Sequence, residues 1–142
     1  MARFGRVVVA GTFNCIHNGH RELLRTALEA GEGVLLGLTS DEFARRLKGE
    51  AKPYAERKAA LEEALGEGRA RCEIVMIEDE VATAGERGDL QAIVVSTETE
   101  PNARRVNGER KRRGLPELEI IVIPLVKDAG GRKLSCRRKS RG

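Results

Sequence analysis

The chain has 142 residues, of which 40% are hydrophobic and 34% are charged, and its formal net charge is +4. This length suits one domain that buries roughly two thirds of its unfolded surface. The apolar runs are far shorter than the ~20 residues of a membrane span, and the N-terminus lacks the apolar stretch of a signal peptide, so we expect a cytoplasmic protein with no membrane partner. Three cysteines without a C-x-x-C spacing argue against a disulfide framework and a zinc knuckle.

The positive charge is concentrated at the C-terminal end. Residues 132–142 hold six basic side chains and no acidic one, which leaves residues 1–131 with a net charge of −2. We therefore divide the chain into an α/β domain over residues 1–131 and a basic C-terminal segment over 132–142. A basic tail can bind nucleic acid, and RNA binding stays open as an alternative. The chain has only four aromatic residues for base stacking, however, which disfavours a nucleic-acid partner.

Strand and helix patterns alternate along the chain. The predicted elements are, in order, a strand at 7–10, a helix from His17 or Asn18 to Ala30, a strand at 34–38, a short helix from 41 to near 48, a helix at 54–65, strands at 72–77 and 92–95, a helix containing 104–113 and a strand at 118–123. We expect turns at 31–33 and 85–89, and we expect the acidic run 78–80 to be the solvated end of a strand. The alternation predicts a single-domain, Rossmann-like, doubly wound five-stranded parallel sheet with helices on both faces.

The loop between the first strand and the first helix has the features of a phosphate site. Gly11 permits a tight turn, and His17 and His20 stand at the helix N-terminus, where free N–H groups and the helix dipole favour anions. Gly19 leaves space between the two imidazoles, and Thr12 adds a hydroxyl from the strand end. These groups can converge on one phosphate. Two histidines supply only half of a tetrahedral zinc set, so we predict no metal ligands.

Two further polar loops are expected at the same edge of the sheet. Thr39 and Ser40 follow the second strand, and residues 96–99 follow the fourth. Ligands of doubly wound folds bind outside the carboxyl ends of the strands, at the point where the strand order reverses. The three loops together can form one cleft for a whole nucleotide.

The motif GTFNCIHNGH, at residues 11–20, resembles the G-T-F-D-x-x-H-x-G-H signature of the HIGH-motif nucleotidyltransferase superfamily. Asn14 stands where that signature has Asp, which keeps the turn propensity and removes a charge. Further stretches resemble archaeal-type phosphopantetheine adenylyltransferases and extend the likeness over nearly the whole chain: GLTSDE at 37–42, KPYAER at 52–57, AIVVSTET at 92–99, and N-x-x-R at 107–110 followed by Gly114 and Leu115. This family uses Mg²⁺ and transfers the adenylyl group of ATP to 4′-phosphopantetheine, giving dephospho-coenzyme A and pyrophosphate.

The resemblance implies roles for the matching residues. Thr12 would orient the acceptor phosphate, and His20, with His17 as a secondary contact, would bind the ATP phosphates. Lys52 would bridge the two substrates, with Lys48 as a competing candidate. The implied ATP site comprises Gly11, Thr12, Phe13, His17, Gly19, His20, Ser96, Glu98, Thr99, Asn107, Ser135 and Arg137, and the implied acceptor site comprises Thr12, Thr39 and Lys52. Arg57 is expected to have a structural or loop-bracing role.

The C-terminal segment departs from the family pattern, which is I-S-S-T/S-x-I-R. Ser135 is retained, Cys136 stands where a hydroxyl is expected, and the closing arginine could be Arg137, Arg138 or Arg141. This departure leaves open a nucleotide-binding protein with impaired turnover. Another nucleotidyltransferase of the same fold, with FMN, a nicotinamide nucleotide or an alcohol phosphate as acceptor, also remains open.

Overall fold

The structure is a computed structural model that describes residues 3–14, 16–79 and 81–124. The strands in these ranges are β1 Phe4–Gly11, β2 Gly31–Thr39, β3 Cys72–Ile77, β4 Ala92–Ser96 and β5 Glu119–Ile123. The helices are α1 Asn18–Ala30, α2 Asp41–Lys48, α3 Tyr54–Leu65, α4 Ala82–Glu86 and α5 Glu100–Arg112, with a 3-10 helix at Gly66–Arg71 before β3. Within the described ranges, no helix has the length and apolar character needed to cross a membrane.

The five strands form one parallel sheet in the order β3-β2-β1-β4-β5. The chain moves outward from β1 to β2 and β3, then returns past β1 to β4 and β5. The strand order therefore reverses between β1 and β4, which is the switch point where doubly wound folds bind their ligands.

Alternate residues of β1 face two separate hydrophobic layers. Val7 and Val9 pack with Leu61 of α3 and with residues of α1, whereas Val8 packs with Val106 of α5 on the opposite side. Because successive strand residues point to opposite faces, α1 and α3 cover one face of the sheet and α4 and α5 cover the other. The predicted doubly wound sheet with helices on both faces is confirmed.

The predicted turn at residues 31–33 is wrong, because these residues are the first three of β2. Gly31 has φ −120° and ψ 143°, so the chain passes from α1 directly into an extended strand. A Cβ at Gly31 would lie 2.8 Å from the Gly33 carbonyl oxygen and 3.0 Å from both Val7 methyl carbons. Glycine is required here for the close approach of β1 and β2, and not for a reversal of the chain.

Two short elements have no counterpart among the predictions. The five-residue helix α4 includes residues 85 and 86 of the turn predicted at 85–89. The other element is the 3-10 helix Gly66–Arg71. Both are too short to show an apolar periodicity. After β3, Glu78 and Asp79 are exposed, as expected of a solvated strand end.

Candidate active site

The three polar loops predicted to form a cleft follow β1, β2 and β4, which are neighbours in the sheet. The loop after β1 leads into α1, at the switch point. Its first residue is linked to the loop after β2, because the Thr39 hydroxyl donates to Thr12 Oγ1 at 3.1 Å. The loop after β4 is tied to the next strand by a bond of 3.1 Å from the Thr97 N–H to the Ile123 carbonyl.

The two histidines form a reciprocal cap at the start of α1. His17 is the N-cap residue, and its Nδ1 accepts from the backbone N–H groups of Gly19 at 3.0 Å and His20 at 3.4 Å. His20 Nδ1 accepts in turn from the His17 N–H at 3.4 Å. The rings are stacked, with centroids 3.9 Å apart and planes 17° apart. Since each Nδ1 is an acceptor, this bonding pattern assigns the proton of each neutral ring to Nε2.

The helix therefore presents two imidazole Nε2–H donors from its first turn, where the helix dipole also favours an anion. This is the arrangement expected of a phosphate site. It also explains why the sequence has two histidines three residues apart, since each ring completes the cap that orients the other.

Phe13 supports the histidine pair from the loop side. Its ring is 2% exposed, and the ring centroid lies 5.1 Å from that of His20. The backbone of Phe13 has φ 47°, which is unusual for a bulky residue and typical of functional loops. A Cβ at Gly11 would come within 3.1 Å of Phe13 Cε2. Gly11 and Phe13 thus shape the site from below, and Gly19 contributes its N–H to the cap; their contacts with ATP stay predictions.

Arg57 of α3 joins the loops that surround this site. Its side chain is fully buried, and its Nε donates to the Lys52 carbonyl at 2.7 Å. Its Nη1 donates to the Thr12 carbonyl at 3.1 Å and to Thr39 Oγ1 at 3.2 Å. Its Nη2 forms an ion pair with Asp41 at 3.0 Å. The expected bracing role of Arg57 is confirmed, and it extends to the loops after β1 and β2.

Thr39 lies beneath Thr12. Thr39 is 2% exposed, Thr12 is 7% exposed, and the hydroxyl of Thr39 is bonded to both Thr12 and Arg57. The hydroxyl of Thr39 is thus bonded within the protein, and the predicted contact of Thr39 with the acceptor stays a prediction. The pattern of the sequence could place Thr39 at the rim, but it could not show which side of the loop its hydroxyl faces.

Lys52 lies beside the loop of the histidines. Its N–H donates to Asn14 Oδ1 at 2.7 Å, and its carbonyl accepts from Arg57, so the backbone of Lys52 is held from both sides. Its side chain is exposed at this position. Lys48 is the last residue of α2, and the bridging role of Lys52, with Lys48 as the competing candidate, stays a prediction. The uncharged side-chain oxygen of Asn14 is sufficient to accept this hydrogen bond from Lys52.

The loop after β4 is closed by its own hydroxyl groups. Thr99 Oγ1 accepts from the Ser96 N–H at 3.1 Å and lies 3.2 Å from Ser96 Oγ. Glu98 is exposed on the same loop. Ser96, Glu98 and Thr99 lie at the predicted rim, and their contacts with the nucleotide stay predictions.

Asn107 lies away from this rim. Its Nδ2 donates to the Leu118 carbonyl at 2.9 Å, and its Oδ1 accepts from the Leu118 N–H at 2.7 Å. Leu118 precedes β5 at the amino end of the sheet, whereas α5 begins at the carboxyl end with Glu100. Seven residues of helix separate Asn107 from that end, a distance of about 10 Å. Asn107 therefore braces the segment that enters β5, and its contact with ATP stays a prediction.

Arg110 is a second buried arginine that the residue pattern did not single out. It is 0% exposed and donates to the carbonyls of Ala84, Arg87 and Pro116 at 2.7–2.8 Å. Burial lowers the pKa of its guanidinium, while the charge of Asp89 acts in the opposite direction. Arg110 thus ties the end of α4 to the loop between α5 and β5, on the face of the sheet opposite α1. Its only signal in the sequence is the N-x-x-R spacing.

Ser135, Cys136 and Arg137 lie outside the described residues, as does the boundary predicted at 131. In the part of the chain that the structure covers, no three His, Cys, Asp or Glu side chains lie close enough to hold a metal ion. The side-chain donors near the start of α1 are imidazole and hydroxyl groups, which suit phosphate oxygens.

Comparisons with known proteins identify the family of this chain. The family described as cytidylyltransferase-like matches residues 8–129. A phosphopantetheine adenylyltransferase of Methanopyrus kandleri is 47% identical over 141 residues, which cover 97% of this chain and 90% of that protein. The chain belongs to the phosphopantetheine adenylyltransferase family. The family predicted from the motif at 11–20 together with the further matching stretches is confirmed, and membership makes the chain a nucleotidyltransferase.

Other members of this family, and a solved structure, support the same placement. The phosphopantetheine adenylyltransferase of Methanothermobacter thermautotrophicus is 43% identical over 141 residues, with 99% of this chain and 85% of that protein covered. A crystal structure of an Archaeoglobus fulgidus protein, described as of unknown function, superposes with a TM-score of 0.76 at 28% identity, covering 83% of this chain and 88% of that one. The fold is thus shared over the described sheet and helices.

Proposed function

We propose that this chain transfers the adenylyl group of ATP to 4′-phosphopantetheine, giving dephospho-coenzyme A and pyrophosphate, a step of coenzyme A biosynthesis. The observation that carries the proposal is the histidine pair at the start of α1, whose rings are held as Nε2–H donors at the switch point of the sheet. The relatives that match nearly the whole chain are named for this activity.

The reaction suits a site made of donors. A phosphate monoester has a second pKa of ~6, so the acceptor is already an ionised nucleophile near neutral pH and needs no general base. One of its oxygens attacks the α-phosphorus of ATP, a new P–O bond forms, and the bond to the bridging oxygen of the β-phosphate breaks to release pyrophosphate. Catalysis then rests on alignment and on stabilising the charge of the transferring group.

The described residues divide between the two substrates. The Thr12 hydroxyl lies at the end of β1 and would hold the acceptor phosphate. The Nε2–H groups of His20 and His17 would bind the ATP phosphates from the N-terminus of α1. Lys52, whose backbone is fixed between Asn14 and the third helix, would reach both substrates.

The adenosine and the triphosphate would also be contacted by residues outside the loop after β1. The loop after β4 lies across the switch point from the histidines, and its residues Ser96, Glu98 and Thr99 would contact the adenosine. By resemblance, Ser135 and Arg137 would close over the triphosphate. Mg²⁺ would arrive with ATP, because this ion is usually held by phosphate oxygens and water together with few protein ligands. It would supply positive charge to the triphosphate.

Pyrophosphate release tests the proposal. The full chain is given ATP and Mg²⁺ with 4′-phosphopantetheine, FMN, nicotinamide mononucleotide or no acceptor, and the products are identified by mass. We expect dephospho-coenzyme A with phosphopantetheine alone, and we expect the His20→Ala variant to lose this turnover. Turnover with another acceptor would replace the proposed substrate. ATP binding without turnover on any acceptor would support a nucleotide-binding role instead.

A further inference from the structure

We propose that Thr39, polarised by the buried Arg57, is a positioning residue that makes the Thr12 hydroxyl donate its proton towards the acceptor phosphate. This inference rests on the proposed function, in which Thr12 holds that phosphate. Thr39 and Arg57 are both buried, so the exposed residues of the site do not reveal this role.

The first step is the bond between Arg57 and Thr39. A guanidinium has five N–H donors and no acceptor, so Thr39 Oγ1 must be the acceptor in its 3.2 Å contact with Arg57 Nη1. An oxygen that accepts from a cation becomes a poorer acceptor for a second donor, and its own O–H becomes a stronger donor. Thr39 therefore directs its proton away from Arg57.

The second step is the bond between the two hydroxyl groups. Thr39 Oγ1 lies 3.1 Å from Thr12 Oγ1, and the polarity set by Arg57 makes Thr39 the donor of this pair. Thr12 Oγ1 is then an acceptor towards the interior. Its own O–H cannot point back at Thr39, so it remains for an acceptor elsewhere. An ionised phosphate, which offers acceptor oxygens, is the partner that benefits.

Burial keeps water from competing for the hydrogen bonds that run from Arg57 through Thr39 to Thr12. Thr39 is 2% exposed and Thr12 is 7% exposed, so solvent has little access to the bond between them. The guanidinium is itself held in place, because its Nη2 pairs with Asp41 at 3.0 Å and its Nη1 also donates to the Thr12 carbonyl at 3.1 Å. The same arginine thus fixes both the backbone of Thr12 and the direction of its hydroxyl.

The test uses Thr39, because removing Arg57 would also take away four hydrogen bonds from the loops. Thr39→Val keeps the shape of the side chain and removes the hydroxyl, and Thr39→Ser is the matched control that keeps the hydroxyl. Affinities of the full chain for 4′-phosphopantetheine and for pantetheine, which lacks the phosphate, are measured by calorimetry. We expect Thr39→Val to weaken phosphopantetheine binding by about 10-fold, the scale of one hydrogen bond to a charged group. Pantetheine binding and the KM for ATP should not change, and Thr39→Ser should restore the affinity.

A double-mutant cycle separates the relay from simple packing. Thr12→Val removes the hydroxyl through which Thr39 is inferred to act, so Thr39→Val should have no further effect on phosphopantetheine binding in that variant. If Thr39→Val weakens phosphopantetheine and pantetheine equally, or if its effect is the same with and without the Thr12 hydroxyl, the relay is overturned. A wild-type chain that neither binds phosphopantetheine nor forms dephospho-coenzyme A would instead overturn the proposed function, and this inference with it.

Discussion

Replacement of His20 by alanine should lower kcat for adenylyl transfer by about 100- to 1,000-fold, which corresponds to roughly 2.7–4 kcal/mol of transition-state stabilisation. The structure gives the reason, because the Nδ1 of His20 is bound to the His17 N–H and its proton lies on Nε2. Alanine removes the donor that, in the proposed function, stabilises the charge developing on the transferring phosphate. His20 is only half-buried, so the fold should be retained.

Two further variants separate the donor from the ring. The terminal nitrogen of glutamine can occupy the place of imidazole Nε2, whereas the nitrogen of asparagine lies near the place of Nδ1. His20→Gln should therefore keep more activity than His20→Asn, even though both lose the stacking against His17 and the contact with Phe13. This order of activities follows from the assignment of the proton to Nε2.

The assay is steady-state pyrophosphate release with saturating ATP and 4′-phosphopantetheine, with circular dichroism and urea unfolding as controls of the fold. Turnover of His20→Ala within about 3-fold of the wild type would refute the catalytic role, because a lost charge-stabilising donor costs far more than this. Glutamine and asparagine variants of equal activity would refute the assignment to Nε2.

Three other predictions concern the residues that support the site and the fold. Gly11→Ala places a Cβ 3.1 Å from the ring of Phe13 and should lower kcat by about 10-fold by displacing that ring; unchanged kinetics would contradict this. Ser40→Ala removes the oxygen that accepts from the Phe43 N–H and should cost about 1 kcal/mol in urea unfolding, whereas glycine at the same position should cost a few tenths. Equal losses for the two variants would argue against a capping role. Arg110→Ala leaves buried carbonyls without their donor and should lower the free energy of unfolding by about 3 kcal/mol. A loss below about 1 kcal/mol would show that water replaces the guanidinium.

The sheet could be predicted from sequence because its central strands, such as β2 and β4, are buried on both faces. Continuous apolar runs such as residues 34–38 mark central parallel strands, and the spacing of leucines and alanines marks α1. The failure at Gly31 is instructive, since two glycines near a helix end suggest a turn. The glycine at 31 is instead needed because the Val7 side chain of the neighbouring strand approaches it closely. Such contacts between distant parts of the chain leave no periodic trace in the sequence.

The site was predictable where function depends on chemistry near the start of a helix, and less so where it depends on packing. The H-x-G-H spacing indicated the two donors, but the cap that fixes their tautomers became visible only in the structure. Thr39 was assigned to the site from its place after a strand and Asn107 from the family resemblance, and the structure shows that the polar atoms of both bond within the protein. A polar side chain has the same letter whether it faces a ligand or a backbone carbonyl, and only the fold distinguishes these cases.

In two parts of the described site, the same pattern of hydrogen bonds decides which side chains act as donors. Imidazole and hydroxyl groups can donate or accept, and a phosphate dianion needs donors. In His17 and His20 the acceptor nitrogen is occupied by backbone N–H groups of the first helical turn. Thr12 lies at the end of β1, before that helix begins, and its acceptor position is occupied by Thr39, which is itself bonded to Arg57. An internal donor thus occupies the acceptor atom of each side chain, which leaves the side chain's own N–H or O–H to donate outward. Backbone amides do this for the two histidines, and the buried Arg57 does it for Thr12 through Thr39.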